Sequence, residues 1–172
     1  MNFKASLYSA ALLASFVLAP QARAEDPVSM GTFDDWEAYS YKSGGSPVCY
    51  IYSVPKKTES DKKINKRDPV SFLVTNFVGR KIKGQVSTII GYPFKESSTV
   101  SLKIDDKAFE LYTNGDTAWA AAVETEAQIV KALKTGKSLI ISGTSWKGTA
   151  TTDTYSLVGV SKALEKIDTA CK

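Results

Sequence analysis

The chain has no histidine and only two cysteines. Without an imidazole, no Ser–His or Cys–His nucleophile can be assembled, and the usual proton shuttle at neutral pH is missing. Long apolar runs are scarce too. One covers residues 5–19, ASLYSAALLASFVLA, and no second stretch approaches the roughly 20 residues a bilayer-spanning helix requires. Charge of one sign is hardly in excess, with 22 basic against 18 acidic residues. That balance gives no footprint for nucleic acid, and no membrane span is expected in the mature chain. No cofactor motif or metal-ligand cluster stands out, so no cofactor is expected.

What is present begins with an export signal. Lys4 precedes the apolar run, Pro20 ends it, and Ala22-Arg23-Ala24 is a small-x-small cleavage site. Residues 1–24 are therefore expected to be removed as a signal peptide, leaving residues 25–172 as a single domain that begins at Glu25. Lys4 and Arg23 leave with the peptide, so the 22 basic residues fall to 20 and the net charge to +2. Both cysteines, Cys49 and Cys171, lie in the mature part. Export leads to an oxidising compartment, and two cysteines in one chain allow one pairing, so a Cys49–Cys171 disulfide is expected. The competing reading is a pair of free thiols.

Beyond a polar lead-in at residues 25–35, the chain reads as short alternating strands separated by turn residues. Strand candidates are residues 36–41, 48–54, 70–78, 85–92, 99–104, 108–112, 118–123, 138–142 and 152–157. In residues 48–54, Val48, Tyr50, Tyr52 and Val54 share one face and leave Cys49 and Ile51 on the other. Residues 55–69, PKKTESDKKINKRDP, have no apolar period and read as a solvated loop. Asp105-Asp106-Lys107 makes the turn of a hairpin. One helix is expected after a capping box of Thr125 and Gln128, with Ile129, Val130 and Leu133 as its stripe and Gly136 as its end. A second is expected from Ser161, with Val160, Leu164, Ile167 and Cys171 on one stripe. The pattern is mainly β: an antiparallel sandwich with two short helices in the C-terminal half.

Several strings tempt a catalytic reading and fail on context. Ser53-x-x-Lys56, Ser60-x-x-Lys63 and Lys134-Thr135-Gly136 echo serine penicillin-interacting enzymes, but they fall in a polar stretch and at a helix end. Gly136-Lys137-Ser138 resembles a phosphate loop, but Lys131 stands where its first glycine should be. The acidic pairs Asp34/Asp35, Asp105/Asp106 and Glu124/Glu126 could serve a glycosidase. Turn formation and a helix N-terminus account for them more simply. The basic residues Lys56, Lys57, Lys62, Lys63, Lys66, Arg67, Arg80, Lys81 and Lys83 form the one candidate interaction surface. They suit anionic envelope surfaces, and mixed-sign solvated surface is the alternative. Tyr92, Trp146 and Tyr155 are candidate exposed aromatics for a ligand.

The strings GQVSTIIGYPFKESSTVSLKID (84–105), DTAWAA (116–121), IVKALKTG (129–136) and GTSWKGTATTDTYSLVGVSKAL (143–164), with the terminal Ala170-Cys171, resemble the invasion-associated locus B family. Phe33-Asp34-Asp35-Trp36-Glu37 is similar to that family's Trp-containing N-terminal motif. The chain departs from members that carry extra cysteines after this Trp and in mid-chain, so their disulfide pattern does not transfer. The resemblance implies an immunoglobulin-like β-sandwich and a life in the periplasm, at the outer surface or secreted. It also implies an association, in some members, with bacterial entry into host cells. It supplies no catalytic residue. The leading expectation is an exported, non-enzymatic interaction protein whose partner is a protein or envelope component. A ligand- or glycan-binding module comes second, and a carboxylate-based hydrolase third.

Overall fold

A computed structural model describes residues 26–172. The expected signal peptide and its cleavage point lie outside the described residues. In chain order the strands are β1 (Val28–Phe33), β2 (Trp36–Ser43), β3 (Ser46–Ser53), β4 (Lys57–Ser60), β5 (Ser71–Phe77), β6 (Ile82–Ile89), β7 (Thr99–Ile104), β8 (Lys107–Asn114) and β9 (Thr117–Trp119), followed by β10 (Ser138–Thr144) and β11 (Ala150–Ser156). Helix α1 (Val123–Thr135) lies between β9 and β10, and α2 (Val160–Ala170) follows β11. All strand pairs are antiparallel, in the order β1-β2-β3-β5-β6-β9-β8-β7-β10-β11-β4. The fold is mainly β, as the alternation predicts.

One continuous sheet supplies both layers by curling until its two ends meet. The Trp36 indole N–H on β2 donates to the Ser156 carbonyl at the end of β11 (3.0 Å), and the Asp35 N–H donates to the Val158 carbonyl (3.3 Å). Between these ends, Phe72 packs edge-on against both Trp36 (6.1 Å) and Tyr155 (6.3 Å). Alternation then does the rest. Val100, Leu102 and Ile104 of β7 point inward, as do Leu139 and Ile141 of β10, and all are buried. Close approach fixes one turn: a Cβ on Gly159 would sit 1.9 Å from the Phe33 carbonyl oxygen, at φ +92°. Only glycine fits there, between β11 and α2.

The helices cover the open side of the curl. α1 lays Ile129, Ala132 and Leu133 on the core, and α2 lays Val160, Ala163, Leu164 and Ile167 there. Cys171, just past α2, is bonded to Cys49 on β3 with Cα atoms 5.9 Å apart. The bond holds the helix end on the inward face of the strand that also carries Ile51.

Four local expectations need correction. Residues 28–33 are an edge strand, not a lead-in; the pairing runs from Val28↔Ser40 to Phe33↔Trp36 with a bulge at Gly31. Residues 57–60 are a strand as well, because β4 borrows the free edge of β11. α1 starts at Val123 with Ala122 as its cap, and no side chain caps it. The turn that a Thr125 capping box would have started is already helical. Its Glu126 is buried against β6 and accepts the Val86 N–H (3.3 Å). Burial holds this carboxyl above the usual carboxylate range. α2 begins one residue before the expected Ser161. The acidic pairs have structural work: Asp34-Asp35 and Asp105-Asp106 are two-residue hairpin turns, and Asp105 also accepts the Lys137 (3.1 Å) and Ser138 (3.1 Å) N–H groups.

Because the disulfide closes a separation of 122 residues, it restricts the unfolded chain strongly. Cys49→Ala with Cys171→Ala should lower unfolding free energy by about 2–5 kcal/mol in urea titration. A change below about 1 kcal/mol would show that the bond adds little to the packing already holding α2.

Candidate interaction surface

The basic segment is fastened to the fold at both ends. At its start, the Lys56 N–H donates to the Thr154 carbonyl (2.8 Å) and β4 pairs with β11. The Asp61 N–H then donates to the Ala150 carbonyl (3.2 Å), and the Asp61 carboxylate accepts the Ala150 N–H (2.9 Å). At its end, Arg67 turns into the protein. Its guanidinium grips the Asp153 carboxylate in two-point fashion (2.9 and 2.5 Å), and its Nε donates to the Ile90 carbonyl (2.7 Å). The Thr58 hydroxyl of β4 donates to the same carboxylate (2.7 Å). The Asp153 side chain has 0% of its surface exposed and Arg67 10%.

Tyr92 completes this anchor. Its ring lies 5.2 Å from the Arg67 guanidinium, and its hydroxyl sits 2.6 Å from that of Thr151 and donates to the Gly143 carbonyl (3.2 Å). Burial raises the Tyr92 phenol above its ordinary range, against the opposing pull of Thr151 and Arg67. The Asp68 N–H donates to the Gly91 carbonyl (3.0 Å), and the two segments approach so closely that a Cβ on Gly91 would lie 2.2 Å from the Asp68 oxygen.

Between these fixed points Lys62, Lys63, Asn65 and Lys66 are exposed, with Ile64 partly buried. They face the β10–β11 turn, whose shape is equally constrained. Ser145 and Gly148 close it through backbone bonds, the Ser145 hydroxyl accepts the Thr149 N–H (3.1 Å), and the Trp146 N–H donates to the Pro93 carbonyl (2.9 Å). Lys62 bridges the two segments by donating to the Gly148 carbonyl (2.8 Å). A groove of about 250 Å³ runs between them, bordered by Lys63, Lys66, Tyr92, Trp146 and Lys147. Trp146 is 62% exposed, and the Lys147 ammonium lies 4.9 Å from its ring centre.

The nine basic residues singled out in the sequence therefore separate. Lys62, Lys63 and Lys66 reach the groove region. Lys56 pairs with Asp35 (2.6 Å) and Lys57 with Glu59 (2.9 Å). The Lys56 hydrogen bond holds the Asp35 carboxyl below the usual range, with help from Ser156. Arg67 is a structural anchor, which corrects the reading of residues 55–69 as a solvated loop. Arg80, Lys81 and Lys83 lie elsewhere, near the C-terminus of α2. Arg80 sits over the Phe77 ring (4.3 Å), and Lys83 meets Asp168 (3.3 Å). Of the three aromatics, Trp146 is exposed and Tyr92 partly so, but Tyr155 is only 1% exposed and belongs to the core. Burial pushes its phenol pKa up.

Lys147 was not singled out in the sequence, since one lysine in a turn carries no pattern. A second surface was also missed. Tyr41, Tyr50 and Tyr52 of β2 and β3, with Leu73, Phe77 and Ile89, line an open concavity of about 550 Å³ on the outer face of the sheet. Tyr39 stacks on Tyr50 (5.5 Å) across the β2–β3 register. The alternation of tyrosines at 39, 41, 50 and 52 was the available signal. Among the described residues no group of His, Cys, Asp or Glu is placed to hold a metal ion, and no helix is long and apolar enough to cross a membrane.

A sequence profile described as "Invasion associated locus B (IalB) protein" matches residues 36–168. The chain belongs to the invasion-associated locus B family. The family assignment covers every element of the fold from β2 to the last turns of α2. Among solved structures, invasion associated protein b from Bartonella henselae has the same fold. The TM-score is 0.60 and the identity 19%, covering 83% of this chain and 96% of that one. No curated protein sequence matches the chain.

The anchor predicts a sharp contrast between neighbouring cations. Arg67→Met leaves Asp153 buried and short of its charge partner, and should cost about 3–5 kcal/mol in chemical denaturation. Lys63→Gln, on the same segment, should change stability by no more than about 0.5 kcal/mol. Equal small effects would show that Arg67 is not held as described.

Proposed function

We propose that the mature chain is an exported, non-catalytic interaction protein of the bacterial envelope. In this reading it docks on anionic envelope components, in the periplasm or at the outer surface, and so contributes to association with host cells. The observation that carries the reading is the display of Lys62, Lys63, Lys66 and Lys147 on one side of the molecule by two mutually braced segments. Bracing matters because a surface that is already ordered loses little entropy when it binds. Family membership supports the setting, since the family is named for invasion. The turn positions of Asp34, Asp35, Asp105 and Asp106 and the burial of Glu126 against β6 support the non-catalytic reading over a carboxylate-based hydrolase.

Replacing Lys63, Lys66 and Lys147 together by Gln should abolish most co-sedimentation with outer-membrane vesicles while leaving the melting temperature nearly unchanged. Raising salt should weaken wild-type binding likewise, because exposed charges are screened within about 8 Å at physiological ionic strength. Wild-type protein that does not sediment, or sediments regardless of salt and lysines, would refute the reading.

A further inference from the structure

The groove beside Trp146 has a chemistry of its own. Its border holds three cations, Lys63, Lys66 and Lys147, and no carboxylate. Among the described residues, Lys63 and Lys147 have no acidic group within 4.0 Å, and Lys66 has only the long contact to Asp68 (3.9 Å). The groove under α1 also borders lysines, Lys83, Lys131 and Lys134, but it holds the Asp168 carboxylate, which meets Lys83 and accepts a bond from Asn76 (2.9 Å), and it has no aromatic residue. The Trp146 groove thus keeps an unmatched positive field over a concave surface, where field lines concentrate on an anion.

The remaining border residues narrow the ligand further. Trp146 is 62% exposed, and its indole offers a flat aromatic surface, one face of which carries the Lys147 ammonium. Aromatic faces carry partial negative charge and attract the weakly positive C–H groups of a sugar ring. Asn65, Ser145 and Thr149 add side chains that donate and accept, as sugar hydroxyls require. A space of about 250 Å³ is small for a folded partner and lies just below the range of drug-sized ligand sites, so it suits one or two sugar rings.

We infer that this groove binds an acidic sugar unit of a polysaccharide, its ring against Trp146 and its anionic group between Lys63, Lys66 and Lys147. The inference rests on the proposed reading of this face as a docking surface for anionic envelope components and names the chemical unit it grips. Lysine suits the task as a mobile point charge that meets carboxylate or phosphate equally. The anchor beneath, Arg67 with Asp153 and Tyr92, keeps the two walls at a fixed separation.

Isothermal titration of the disulfide-bonded mature protein with tri-galacturonic acid tests this, with maltotriose as the neutral control. A phosphatidylglycerol vesicle and oligo-dT serve as anionic controls without the matching sugar. Tri-galacturonate should bind, and maltotriose should bind at least about tenfold more weakly. Lys63→Gln and Lys147→Gln should each weaken binding by about tenfold or more, as expected for one lost charge-assisted hydrogen bond. Trp146→Ala should weaken it as much, with Trp146→Phe restoring part and melting temperatures unchanged. Equal binding of the neutral sugar, indifference to Trp146, or binding of vesicles or oligo-dT alone would overturn the inference. Vesicle binding that needs the lysines but ignores Trp146 would leave the docking surface standing and remove the sugar. Absence of all binding would remove both.

Discussion

The Arg67–Asp153 ion pair ties together parts of the chain that lie far apart in sequence. Asp153 is on β11 with no surface exposed, and an isolated carboxylate there would be costly. Its oxygens are satisfied by three donors, two from Arg67 and one from Thr58. The same guanidinium reaches the Ile90 carbonyl and lies over Tyr92. One buried pair therefore fixes the end of the basic segment, the side chain of β4 and the residues after β6. Such pairs contribute little net stability over an apolar replacement, but breaking one side is expensive. Its effect here is positional: the exposed lysines hang from a fixed support.

That support gives the surface its specificity. A mobile lysine-rich loop would attract any anion and lose entropy on doing so. Here the strand pairing of β4, the Asp61–Ala150 bonds and the Lys62–Gly148 bond brace residues 57–67 against the β10–β11 turn. Trp146 and Lys147 consequently sit opposite Lys63 and Lys66 across a set width. The disulfide plays a parallel part by holding the end of α2 on β3.

Much of the fold was legible because local patterns and tertiary packing agree. The β7–β8 hairpin shows strong alternation on both sides of a turn-forming Asp105-Asp106. The stripe of α2 shows at its helical spacing and places Cys171 on the buried side. β4 was illegible because Lys57–Ser60 contains no apolar residue, and its strand conformation exists only through the edge of β11. β11 itself reads ATTDTYS, and its inward set is Thr151, Asp153 and Tyr155. A buried acid in that alternation looks like a surface residue until its partner is known, and Arg67 lies 86 residues earlier. Arg67 was read with the solvated lysines for the same reason. The groove was half legible: its lysines and Trp146 were each visible, but only the fold sets them face to face.

Amide hydrogen exchange tests the central claim, that the buried pair holds the basic segment in place. In the wild type the β4 amides paired with β11, and the Asp68 amide bonded to Gly91, should exchange slowly. In Asp153→Asn these same amides should lose protection, while those of β7, β8 and β10 remain protected under conditions where the variant stays folded. Protection of β4 and Asp68 that is unchanged in Asp153→Asn, or already absent in the wild type, would contradict the account.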